Sequence, residues 1–185
     1  MQGSQHRPRR KITPLLIALV VALGGCVPAY DATPVGVLHG TVDLQWIAAD
    51  RFVYTPDPDD PFRFERASGE VVQPEALVTD GGSIPRPFRA SAALSPWRFT
   101  PVYVLHDWLY QSRHCGQLPA GAYSFRDTIE VMAEALKTHM EDHPEVRHVG
   151  VYEVILAAAA SPVAWLVWRF GTCRLAAYDL LDPTR

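Results

Sequence analysis

His106 and Asp107 stand side by side in the stretch Val104-Leu105-His106-Asp107-Trp108-Leu109-Tyr110, where they can supply a proton acceptor and a metal ligand from adjacent positions. On a helix, neighbouring residues project about 100° apart whereas positions i and i+4 share a face, so His106 and Tyr110 point one way and Asp107 another. One helix can thus serve two partners. Downstream, Asp127 opens a second helical pattern and can fix the tautomer of His106, with Tyr110 holding that carboxylate. Upstream, the polar loop Thr79-Asp80-Gly81-Gly82-Ser83-Ile84-Pro85-Arg86 can share a cation with Asp107 through Asp80 and its carbonyls. The chemistry within reach is hydrolysis: a water deprotonated by His106 attacks an ester carbonyl while the cation stabilises the developing oxyanion.

Each of these residues also has a plainer reading. The His-Asp pair can be a satisfied core histidine beside a helix-face acid, joined with Asp80 and Arg86 in a buried polar network that ties loop to helices. The loop can be a simple turn, since Asp and Gly suit its backbone. Arg86, between Pro85 and Pro87, is either an ion-pair partner for Asp80 or Asp107 or a phosphate clamp on the substrate. His139 and His143 have a zinc-compatible i, i+4 spacing but lack the Glu of His-Glu-x-x-His, and are expected to be exposed. Trp97, Trp108, Trp165 and Trp168 read as core or interfacial aromatics.

The elements that must position these residues begin after a leader. His6, Arg7, Arg9, Arg10 and Lys11 precede the apolar run Ile12 to Leu23, and Leu23-Gly24-Gly25-Cys26 follows. That order is a bacterial lipoprotein signal: residues 1–25 are removed, Cys26 becomes the lipidated N-terminus, and residues 26–37, with two prolines and a glycine, form a tether. Val27 after the lipidated Cys, in place of Asp, points to the outer membrane, facing the periplasm. The chain carries 17 basic and 20 acidic residues, and the leader takes basic ones away, which argues against a nucleic-acid partner. Membrane contact would rest on the acyl chains and on local apolar or Arg-bearing patches. Export permits disulfides, and with Cys26 acylated, Cys115 and Cys173 remain as a pair expected to bridge.

Residues 38–185 are expected to form a single α+β domain, a small N-terminal antiparallel sheet or hairpins packed on about three C-terminal helices. Val, Trp, Ile and Phe are dense between Thr41 and Tyr54, and a Pro-Asp turn cluster follows. Phe62 to Glu65 alternates apolar and polar, Ser68-Gly69 supplies a turn, and Val71-Val72 returns as a hairpin. Asp57, Asp59 and Asp60 lack the spacing of an EF-hand and read as a solvated loop. Helical spacing then predicts a helix from Thr100-Pro101 to near Ser112, a second from about Ala120 to Met140 stopped by Pro144, and a third from about Val146 to Phe170.

Two resemblances rest on these residues. Thr79-Asp80-Gly81-Gly82-Ser83-Ile84-Pro85-Arg86 followed by His106-Asp107-Trp108-Leu109-Tyr110 and Arg126-Asp127 resembles domain of unknown function 1353, a phage-associated and bacterial family, over about residues 40–160. His-Asp-x-x-Tyr with a later Asp resembles secreted phospholipase A2. That likeness implies a phospholipid substrate, His106 as base, Asp107 on calcium and Asp127 orienting the imidazole. This chain departs from that pattern in having Leu105 and Leu109 beside the motif in place of cysteines, and in having only Thr79 to Ser83 where a glycine-rich calcium loop would stand.

Overall fold

The computed structural model describes residues 27–49, 51–81 and 94–174. Residues 1–25, expected as a leader, and Cys26 and Arg86 lie outside these residues. In chain order come six strands, β1 (Val37–His39), β2 (Leu44–Ala48), β3 (Arg51–Tyr54), β4 (Arg63–Glu65), β5 (Val71–Val72) and β6 (Leu77–Thr79). Four helices follow: α1 (Thr100–Cys115), α2 (Phe125–Asp142), α3 (Val149–Ala159) and α4 (Pro162–Phe170). The fold is α+β, with two antiparallel three-stranded sheets, ordered β1-β4-β5 and β2-β3-β6, where one small sheet or hairpins had been expected.

The β4–β5 hairpin forms where alternation predicts it. Gly69 takes φ 85° in its turn, and Phe64 pairs with Val72 on the buried side while Glu65 pairs with Val71 outside. β6 is buried along its whole length, between β3 in its sheet and α1 against it. α1 starts at Thr100 with Pro101 in its first turn and stops at Gly116, whose φ of 70° is the left-handed cap conformation. Every residue from Val102 to Ser112 is buried, so α1 is the central rod of the domain, with β6 and α2 packed against it.

α2 starts later than helical periodicity alone predicts, at Phe125, because Ser124 and Asp127 close a capping box there. The long third helix expected over 146–170 is instead two helices. Ser161 caps α4 through its hydroxyl, which accepts from the Ala164 amide, and Pro162 cannot donate to the α3 ladder. The two meet at a 46° bend, and no single helix among the described residues is long and apolar enough to cross a membrane. Cys115, closing α1, is disulfide-bonded to Cys173 beyond α4, so the last helix is stapled to the central one.

The described part of the stretch expected as a tether packs against the domain. Tyr30 stacks edge-on against Tyr152 and donates to Glu141, Thr33 shares a hydroxyl contact of 2.6 Å with Tyr152, and Lys137 donates to the Thr33 carbonyl. Gly36 lies so close to the next strand that any β-carbon would collide with the Glu65 carbonyl and the Phe64 ring. Gly36 here serves a close approach, and local composition cannot distinguish that from a flexible linker.

Candidate functional site

A helix buried on all sides must satisfy its polar side chains internally, and α1 carries four in a short run: His106, Asp107, Gln111 and Ser112. Gln111 pairs with both backbone groups of Val78, its amide donating to the carbonyl and its oxygen accepting from the amide. Ser112 donates to the Leu109 carbonyl one turn back. Asp107 takes the Thr79 hydroxyl on Oδ2 at 2.6 Å, and that hydroxyl in turn accepts from the Gly81 amide at 3.0 Å. The start of the polar loop is thereby tied to the central helix through the Thr79 hydroxyl.

His106 completes the network. Its Nδ1 lies 3.4 Å from Asp107 Oδ1, and its ring is tilted against Tyr110 with centroids 4.4 Å apart. The side chain is 6% exposed, and Nε2 is buried with no hydrogen-bond partner among the described residues. The Tyr110 phenol is pushed well above its ordinary value, by burial first and by the Asp107 charge second, with Thr128 opposing both. Tyr110 also meets Trp168 edge-on, at 5.1 Å.

Of the residues expected to form one site, the structure joins His106, Asp107 and Tyr110, and adds Thr79, Gln111 and Trp168. Asp127 does not orient the imidazole. Its carboxylate accepts from the Ser124 amide at 2.7 Å while its own amide donates to the Ser124 hydroxyl, so it is committed to the N-terminus of α2. The neighbour that reaches His106 is Asp107. Asp80 faces Arg174, with Oδ2 3.8 Å from Nη1, an ion pair whose basic member comes from beyond α4. For calcium, the donor set is thin: Asp107 is already engaged by Thr79 and His106. Among the described residues no three His, Cys, Asp or Glu side chains converge to hold a metal ion.

The two other histidines also separate. His143 is exposed and pairs with Glu145. His139, expected at the surface, is buried and hydrogen-bonded through Nε2 to the Arg98 carbonyl at 2.8 Å, and burial holds its pKa below the ordinary value despite that bond.

A second feature was not foreseen. A cavity of about 360 Å³ opens beside the C-terminal end of α1, with Arg113, His114, Tyr123, Trp168 and Arg169 among its walls. The Arg113 guanidinium lies 4.8 Å from the Trp168 ring centre. Aromatic and basic residues in Trp165-Leu166-Val167-Trp168-Arg169-Phe170 were the available signal, but Arg113 and Tyr123 come from other elements and only folding brings them there.

No curated protein and no solved structure matches the chain. Residues 59–150, which span the Thr79–Gly81 turn, all of α1 and all of α2, match the family described as "Protein of unknown function (DUF1353)", so this stretch of the chain carries that family's domain.

Proposed function

We propose that this protein is a cell-envelope lipoprotein, anchored through acyl chains on Cys26 and facing the periplasm from the outer membrane, whose domain acts by interaction and not by catalysis. The observation that carries this reading is the sealing of His106. With 6% of its side chain exposed and Nδ1 turned to Asp107, it is built as a packed member of a network, in which Thr79, Gly81 and Gln111 hold a loop and a strand to α1. Arg86 lies outside the described residues, so the expected Arg member of this network stays part of the proposal.

A second reading, a phospholipase A2-like lipid-ester hydrolase, is favoured by one observation, the unpartnered Nε2 of His106. An imidazole held by a carboxylate at Nδ1, with the opposite nitrogen unused, has the arrangement of a general base. In this reading Asp107 and not Asp127 orients the ring. Tyr110 and Trp168 are the aromatic layer between His106 and the basic cavity.

Fatty-acid release from mixed phospholipid micelles, with and without calcium, decides between them when His106→Ala is run in parallel with urea unfolding. The interaction reading expects no release from either chain, with the variant less stable by about 2–4 kcal/mol through loss of a packed ring. Release by the native chain that vanishes in the variant would overturn it and install the hydrolase.

A further inference from the structure

We infer that α4 lies in the interface of an anionic phospholipid surface, its outer stripe among the acyl chains and Arg113 and Arg169 at the level of the lipid phosphates. A surface helix ordinarily turns polar residues outward. α4 does the reverse: Trp168 is its buried member, and its outward positions include Val163, Trp165, Leu166, Val167 and Phe170, with Val163 and Phe170 each 69% exposed. Val163, Leu166, Val167 and Phe170 fall at i, i+3, i+4 and i+7, a continuous apolar stripe along one side.

Charge selects the occupant. The chain as a whole is acidic, yet no acidic residue occurs between Glu153 and Asp179. Arg113 and Arg169 are both exposed and border the cavity beside this helix. Among the described residues neither is paired with a carboxylate; their contacts are with the Trp168 and Phe170 rings. A partly apolar, Trp- and Phe-bearing helix with unpaired guanidinium groups at its edge matches a surface that is apolar below and phosphate-lined above.

The anchor adds a geometric reason, which rests on the lipoprotein reading. Val27 already packs on the core, and the Pro28 carbonyl accepts from Tyr152. A lipidated Cys26 is therefore one residue, about 3.5 Å of chain, from a fixed point of the domain. With so short a lead, the body of the domain is held close to the bilayer, where an exposed apolar helix face such as that of α4 can meet it.

The test uses the chain from residue 26 with Cys26→Ser, which retains every residue of the hydrophobic core and carries no acyl chain. It is floated with vesicles of phosphatidylcholine alone or with phosphatidylglycerol added, while Trp emission is followed. The expected result is flotation with the anionic vesicles and a blue shift, weakened by high salt. Leu166→Ser with Phe170→Ser should lower vesicle affinity about tenfold or more, and Arg113→Gln with Arg169→Gln should abolish the preference for anionic lipid. Both pairs should unfold at the native urea midpoint, which separates lost binding from lost fold. Absence of flotation, flotation undiminished in the Leu166/Phe170 variant, or a concentration-dependent dimer that shields Trp165 in solution would overturn the proposal. Mass spectrometry of Cys26 in protein taken from cell membranes tests the lipid anchor separately, so failure of either result leaves the other standing.

Discussion

Thr79 donates its hydroxyl to Asp107 and receives the Gly81 amide on the same oxygen, so a single side chain joins the end of β6, the following turn and the central helix. Thr79→Val keeps the branched shape suited to a strand and removes both bonds, leaving a buried carboxylate oxygen without its donor. The expected loss is about 1.5–3 kcal/mol, because hydrogen bonds to carboxylates are worth more than neutral ones and the stranded partner adds its desolvation. Thr79→Ser, which retains the hydroxyl, should recover most of it; equal urea midpoints for the Val and Ser variants would show that the oxygen contributes nothing. That Asp107 would face the Thr79 turn was legible from residue type and spacing. The partner of His106 was not. Ser124-x-x-Asp127 is a local capping pattern, and a carboxylate three residues from a free helix amide reaches it with little ordering cost. A distant imidazole competes poorly with that, and Asp107 was already adjacent to His106 in sequence.

At the scale of elements, the β4–β5 hairpin is fastened to α2 by Glu134, which is almost completely buried. Its Oε2 accepts from Arg66 Nε at 2.9 Å and its Oε1 from the Ala67 amide, while Arg66 also reaches Glu70 at 2.8 Å. Glu134→Ala removes the acceptor of the Ala67 amide and one of the two carboxylates on Arg66, which keeps Glu70, and should cost about 2–3 kcal/mol. Glu134→Gln retains an acceptor for one of those donors and should cost clearly less. Chemical denaturation of both variants checks this, with no difference between them marking the charge and its geometry as irrelevant. The hairpin itself was readable from Phe64, Val72 and Ser68-Gly69, because strand alternation and turn chemistry are local. Glu134 was not, since its partners lie on a hairpin 67 and 68 residues away and nothing near it in sequence announces them. The Ser161-Pro162 break and the packing of Tyr30 and Thr33 escaped for related reasons. An apolar run of nearly constant hydropathy conceals a start signal in its middle, and a Pro-bearing segment reads as a linker until the aromatic ring it meets, here Tyr152, is in view.

For the molecule as a whole, the buried titratable groups define a pH window of stability with a separate cause on each side. On the acid side, burial lowers the pKa of His139, and burial together with the nearby Arg113 and Arg174 lowers that of His114. A histidine depressed in the folded state binds fewer protons there than in the unfolded chain. Its stabilising contribution is therefore present above the ordinary histidine value of about 6.5 and is lost as pH falls through the folded value. On the alkaline side the tyrosines act with the opposite sign. Burial raises Tyr54, Tyr103, Tyr110, Tyr123 and Tyr152, and burial plus the Glu141 hydrogen bond raises Tyr30 to about 12. Phenols raised in the folded state contribute fully below about 10 and lose that contribution as pH climbs through the folded values, because the unfolded chain ionises first. Urea midpoints of the Cys26→Ser chain should form a plateau between about pH 6.5 and 10, fall gently below it and steeply above it, the alkaline limb being the steeper because more groups share it. His139→Gln should flatten the acid limb and leave the alkaline one unchanged, and Tyr103→Phe should do the reverse. Limbs that fail to respond in this crossed pattern would mean that the pH dependence arises from the surface charge of the whole chain and not from these buried rings.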